Sequence, residues 1–303
     1  MKRIAEHVVD HLVELAGQDD RVWLLDGDLG DSYGVERFVE ACPDRFVMAG
    51  IAEQNMVSMA AGMASCGALP FVFSFAAFLA YRAADQIRVG VAQSRLPVTL
   101  IGSHAGGCVG RNGRSHAAIG DIAAMAALPG LEIWAPADKV DVAAMMEAVR
   151  CTEAPRYCRT PRTAVAELSL QVNPRSDPLV RQTGNTGGIL LLSCGLAAHW
   201  AVEVQTDLAN RGIACDAASV ARLVPLPETL EGLVTNAAQL VIIEDHLRHG
   251  GLADLVAARF GRLPDLWFGW SDHGPGVSDD LARQWGGLDS ASIAAKIAQQ
   301  FTP

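Results

Sequence analysis

The residue in this chain best placed to do chemistry is a glutamate at position 53. Glu53 lies in Gly50-Ile51-Ala52-Glu53-Gln54-Asn55-Met56, where an apolar run of strand length ends and a helical pattern begins. Open α/β sheets bind ligands at such points, because strand carboxyl ends and helix N-termini converge there. Two readings fit the carboxylate: a first-turn acid interacting with the helix dipole, or an acid in a cleft exchanging a proton with a ligand. Met56, Met59, Ala60, Met63 and Ala64 make most of the following helix apolar, which favours a buried start and hence the second reading. Phe71, Phe73, Phe75, Phe78 and Tyr81 follow closely in a chain with only 6% aromatics. Phe71, Phe73 and Phe75 share one strand face, while Phe75, Phe78 and Tyr81 continue at three-residue spacing past the strand end. They form either a core cluster or a stacking wall for a planar heterocycle. Ser103-His104-Ala105-Gly106-Gly107 ends the next strand in small residues, and Gly110, Gly113 and His116 follow in a glycine-rich loop open to a ligand. No acidic ligand stands at metal spacing from His104 or His116, so each is a substrate contact or a structural histidine, with no metal site in this chain. Neither a Gly-x-Gly-x-x-Gly helix opening nor a Walker lysine is present, which argues against nicotinamide and P-loop chemistry.

These residues need a scaffold, and the alternation of apolar strand-length runs with helical patterns predicts βα units in parallel sheets. Strands are expected at Val22–Leu25, Phe46–Ala49, Pro70–Phe75, Val98–Gly102, Leu131–Trp134 and Arg156–Cys158, with a helix from Glu53 to Cys66 closed by Gly67 and another capped by Asp138. Pro174, Arg175, Ser176, Asp177, Pro178, Gly184, Asn185 and Gly187 break the pattern. The expected organisation is thus a domain over 1–165, a linker over 166–187 and a smaller α/β domain over 188–303, both domains doubly wound. In the second domain, strands are expected at Ile189–Ser193, Ala214–Ala218, Leu240–Glu244 and Leu266–Phe268, and helices at Leu196–Arg211, Leu252–Phe260 and Ser290–Phe301.

At 303 residues, half of them hydrophobic, the chain can bury the cores of two domains. Its net charge of −10, without a basic tract, argues against nucleic acid or a membrane surface and for small-molecule partners. Seven cysteines without a Cys-x-x-Cys pair give neither a zinc site nor a disulfide framework, and a reducing cytoplasm is expected. The start, Met1-Lys2-Arg3-Ile4, runs into an amphipathic helix rather than the apolar core of a signal peptide.

Taken together, three segments resemble the pyrimidine-binding domain of transketolases, especially split bacterial forms: Gly50 to Met56, Ser74-Phe75 through Arg82-Ala83-Ala84-Asp85-Gln86-Ile87-Arg88, and Gly102-Ser103-His104-Ala105-Gly106. The likeness extends through Leu128-Pro129-Gly130-Leu131 and Pro136-Ala137-Asp138. It continues into a transketolase C-terminal-like domain with Ile243-Glu244-Asp245-His246 and Gly250-Gly251-Leu252. This resemblance implies that Glu53 is catalytic, bonding N1′ of the aminopyrimidine of thiamine diphosphate so that the cofactor generates its own thiazolium ylide. It also implies that Phe75, Phe78 and Tyr81 line the pyrimidine, that His104 acts on substrate, and that His116 and Arg159 contact it, Arg159 at the sugar phosphate. The family's diphosphate and Mg²⁺ motif is Gly-Asp-Gly followed by an asparagine. Here only Asp26-Gly27-Asp28-Leu29 occurs, at the opening of the pyrimidine domain. The implied partner is therefore an N-terminal-type subunit that holds most of the Mg²⁺ site and shares the cofactor, in an α2β2 heterotetramer.

The chain departs from the family where Arg111-Asn112-Gly113-Arg114-Ser115-His116 replaces an acidic loop. Asn112 stands for an aspartate, and Arg111 and Arg114 either attract an anionic acceptor or pair with carboxylates of the partner. The leading expectation is two-carbon ketol transfer from a ketose phosphate to an aldehyde. Its alternatives are a pyruvate-using relative, either a 2-oxo acid dehydrogenase β subunit or a deoxyxylulose-phosphate-synthase-like carboligase, and a non-catalytic regulatory subunit.

Overall fold

Apolar strand-length runs form a parallel sheet because both faces of each strand find a core. The computed structural model describes residues 1–29, 33–172, 178–184 and 187–301. In its first half, β1 (Val22–Asp26), β2 (Phe46–Met48), β3 (Leu69–Phe75), β4 (Thr99–Ser103), β5 (Glu132–Trp134) and β6 (Arg156–Arg159) lie in the order β5-β6-β4-β3-β1-β2, all parallel. Alternate residues feed opposite faces. Leu25, Val72, Leu100, Ile133 and Tyr157 join the core that holds the helix Glu53–Ser65. Leu24, Phe71, Phe73, Ile101 and Trp134 join the core under helices Ile4–Ala16 and Lys139–Cys151. Asp138 caps the latter helix, as its sequence position implies, accepting the Val140 and Asp141 N–H groups.

The stretch 166–187, expected as a linker, contributes β7 (Gln171–Val172) and β8 (Val180–Gln182) to a second sheet. Of its breaker residues, Pro174, Arg175, Ser176, Asp177 and Asn185 lie outside the described residues. That sheet runs β13-β12-β9-β10-β8-β7, with β9 (Ile189–Ser193), β10 (Cys215–Val220), β12 (Gln239–Leu247) and β13 (Leu266–Trp270) parallel, and β8 and β7 antiparallel at its edge. Between β10 and β12 the chain crosses back, and β11 (Arg222–Val224) pairs antiparallel with β5 of the first sheet. Arg181 on β8 adds a buried ion pair across the halves, 2.9 Å from Asp138 and 3.1 Å from Asp141.

The tightest seam lies beside the glycine-rich loop. Asp245 accepts the Gly107 N–H at 2.9 Å and the Trp270 Nε1–H at 2.6 Å. Leu247 N–H donates to the Ile119 carbonyl at 2.6 Å. Gly106 has φ +84°, and a Cβ there would stand 1.8 Å from an Asp245 carboxylate oxygen; one on Gly107 would stand 2.3 Å from the Trp270 ring. Both positions are glycine because the second half lies directly against them. Gly106→Ala is therefore expected to cost about 3 kcal/mol, combining overpacking with a left-handed backbone. An unchanged urea-unfolding midpoint would contradict that close approach. Among the described residues, no helix is long and apolar enough to cross a membrane.

Candidate functional site

The carboxyl ends of β3 and β4 meet the start of the helix Glu53–Ser65, and this places Glu53 where the sequence implied. Its side chain is 1% exposed. One oxygen accepts the Ser74 hydroxyl of β3 at 3.2 Å, and the other accepts Arg82 Nη1–H at 2.7 Å. Arg82 continues over the Phe78 ring, its guanidinium carbon 4.2 Å from the centroid. Phe75, at the end of β3, meets Phe78, His104 and His116 edge to face, with centroids 5.5, 4.5 and 5.2 Å away, and Phe78 meets His116 at 5.2 Å. Four sequence-selected rings thus form one group beside the acid. Tyr81 does not join those ring contacts. Phe78–Arg82 is a π-helical turn, in which steps of three residues drift off one face, and the Tyr81 hydroxyl instead accepts the Gly120 N–H at 3.0 Å.

His104 is held at φ +57°, a strained conformation for a non-glycine residue that costs on the order of 1–3 kcal/mol. Its Nδ1 lies 2.8 Å from the buried Ser103 hydroxyl, which donates to the Tyr33 oxygen at 2.7 Å. In this arrangement Ser103 accepts Nδ1–H, and Nε2 is left as an acceptor for a ligand hydroxyl. Burial, followed by the Arg162 and Arg3 charges, pushes the His104 imidazole down to about 3. The folded protein binds this proton less readily than the unfolded chain, whose histidines titrate near 6.5. His104 therefore contributes stability above about pH 6.5 that is lost as pH falls toward 3, at about 1.4 kcal/mol per pH unit. Relative to His104→Gln, wild type should lose about 2 kcal/mol between pH 6.5 and 5, read from urea unfolding. Parallel pH profiles for the two proteins would rule this out.

A cleft of about 720 Å³ opens beside these rings, lined by Arg3, Phe75, His104, Arg111, Asn112 and Arg162, with further residues of the glycine-rich loop and of the segment Gly276–Leu281. Arg111 and Asn112 reach it as expected. Arg114, exposed, is not among the lining residues. The expectation for Arg159 is corrected: it is 3% exposed, donates to Asp121 at 3.0 Å and to the Asp245 carbonyl at 2.9 Å, and so sits in the seam between the halves rather than in the cleft. Sequence reasoning missed Arg82, Arg162 and Arg3. Only Arg82 carried a signal, lying one turn after Phe78 within an already recognised motif. Asp26-Gly27-Asp28 forms a tight turn, with Asp26 accepting the Leu29 N–H at 3.1 Å and Asp28 at φ +66°.

The residues suit an aminopyrimidine. The flat Arg82 guanidinium already makes the two contacts such a ring requires, stacking on Phe78 while donating N–H to the buried Glu53 carboxylate.

The fold is that of a two-domain α/β protein, with a cleft near the carboxyl ends of parallel strands that Phe75 and His104 line, and with the buried Glu53 carboxylate behind the adjoining ring group. The chain belongs to the transketolase family: residues 3–167 match its pyrimidine binding domain and residues 180–270 its C-terminal domain. It is 30% identical over 256 residues to the 6-deoxy-6-sulfo-D-fructose transketolase subunit SqwH of Clostridium sp. (strain MSTE9), covering 84% of this chain and 79% of that one. It is also 30% identical over 298 residues to the putative transketolase C-terminal section of Methanocaldococcus jannaschii, covering 96% and 93%. The structure is similar to a split-gene transketolase in an inactive β4 tetramer, with a TM-score of 0.83 at 30% identity, covering 98% of this chain and 97% of that one. Against mouse transketolase-like protein 2 the identity is 34%, but the chain spans only 41% of that protein's length.

Proposed function

We propose that the chain is the C-terminal-type subunit of a split, thiamine-diphosphate-dependent transketolase that moves a two-carbon ketol unit from a ketose phosphate to an aldehyde. The observation that carries this reading is the buried Glu53 carboxylate beside Phe75, Phe78 and His116. When bound, thiamine diphosphate supplies the carbanion chemistry. Glu53 would hold the proton at the pyrimidine N1′, Phe75 and Phe78 would hold the ring, and Arg82 would have to leave its place over Phe78. Neutral His104 accepts a substrate hydroxyl through Nε2, and the surrounding rings exclude water. An N-terminal-type partner supplies the diphosphate and most of the Mg²⁺ site, in an α2β2 assembly, and a reducing cytoplasm suits the free cysteines.

Arg3, Arg111 and Arg162 make the cleft positive in an acidic protein, which supports an anionic acceptor or donor end. The similarity to a subunit named for a sulfo-sugar fits this direction. A second reading has support of its own: 1-deoxy-D-xylulose-5-phosphate synthases are among the relatives, at 31% identity over 250 residues for the Mycolicibacterium vanbaalenii enzyme. Donor choice separates the two. The chain combined with its N-terminal-type partner should consume D-xylulose 5-phosphate without releasing carbon dioxide. Pyruvate consumption with carbon dioxide release would replace ketol transfer by the second reading.

A further inference from the structure

The cleft draws part of its wall from the second domain. Gly276, Val277, Ser278 and Leu281 line it opposite Phe75, His104 and Arg111. This segment is fastened to the first domain at two places. Asp279 accepts Arg162 Nη2–H at 3.2 Å and also the Thr163 hydroxyl. Gly276 packs so closely on the glycine-rich loop that a Cβ there would lie 3.2 Å from the Gly113 Cα. Two polar atoms at this junction, Arg162 Nε and Asp279 Oδ1, are buried and have no hydrogen-bond partner among the described residues, and buried polar atoms are ordinarily paired. Ser278 stands at the N-cap of the helix Asp279–Gly286 and lines the cleft, and among the described residues its hydroxyl makes no capping bond.

We infer that Gly276–Asp279 is a specificity-determining wall: Ser278, together with Arg162 held in place by Asp279, receives the anionic, hydroxylated end of an extended substrate. The inference rests on the proposal that the cleft takes sugar-derived substrates, and it assigns their discrimination partly to the second domain. The charge balance fits an anion. Arg162 and Arg111 line the cleft together with Arg3, and Asp279 stands behind Arg162 and fixes its direction. A short substrate such as glycolaldehyde has no group to reach this wall, whereas a pentose phosphate has both hydroxyls and an anion.

The test uses ribose 5-phosphate and ribose as probes, titrated against the full-length chain and followed by tryptophan fluorescence. Trp270 lies under Gly107, Gly274 and Gly286 and so reports on this junction. Ser278→Ala is expected to weaken ribose 5-phosphate binding about 5-fold, the loss of one neutral hydrogen bond. Arg162→Gln should weaken it about 10-fold or more, with affinity for ribose changing far less, as expected for a charge-assisted contact. Asp279→Ala should reproduce the Arg162→Gln loss, and Asp279→Asn, which keeps an acceptor for Thr163 and Arg162, should restore part of it. A wild-type chain that binds ribose 5-phosphate with an affinity untouched by Ser278→Ala and Arg162→Gln removes the wall but leaves the cleft's proposed function standing. A wild-type chain assembled with its N-terminal-type partner that responds to neither probe removes both.

Discussion

Glu53→Gln is expected to lower turnover of the assembled enzyme about 1000-fold, within the range found when a positioned acid or base is lost. The amide matches the carboxylate in size and keeps an oxygen for the Ser74 hydroxyl, but it cannot share a proton with a ring nitrogen. Folding should survive, because the group released is Arg82, whose side chain is 44% exposed and remains solvated. The measurements are turnover and cofactor C2-proton exchange in the assembled enzyme, with circular dichroism and subunit association as controls. Turnover within about tenfold of wild type would remove Glu53 from the chemistry. Arg82→Met gives the opposing control: it leaves the carboxylate and removes the cation now paired with it, so cofactor affinity should hold or improve.

The second large effect is all or none. The isolated chain should show no ketol transfer with thiamine diphosphate and Mg²⁺, and should gain it on addition of an N-terminal-type subunit. The proposed cradle of Glu53, Phe75 and Phe78 would cover a pyrimidine on one side only, and Asp26-Gly27-Asp28, the nearest approach to a diphosphate motif, is closed on itself by the Leu29 N–H. Apolar side chains near the acid remain uncovered: Met48 is 53% exposed, Ile51 73% and Tyr81 49%. Activity of the isolated chain at rates near those of the complex would overturn it.

The parallel strands were legible because doubly buried strands are continuous apolar runs, and all six expected in the first half appear within a residue or two of their expected bounds. β8 and β11 were not, being three residues long, antiparallel and partly polar, so that only tertiary pairing defines them. That Phe75, Phe78, His104 and His116 lie together was legible in part: Phe75 and His104 stand at the ends of adjacent strands, whereas Phe78 and His116 reach them through the turns that follow. Arg159 and Arg162 could not be told apart in this way. Arg159 still lies within β6 and points to buried Asp121, whereas Arg162, just beyond the strand, turns to the cleft and meets Asp279, 117 residues later. No local pattern encodes a partner so distant.

The contact of Gly106 and Gly107 with Asp245 and Trp270 constrains how this protein can be recombined or can diverge. A chimera that takes its second half from a relative carries a foreign residue to the 245 and 270 positions. The loop behind His104 then fits only if the glycines and their covering side chains are inherited together. Crossover points between residues 107 and 245 should therefore be poorly tolerated, even where they fall in the polar stretch that joins the halves.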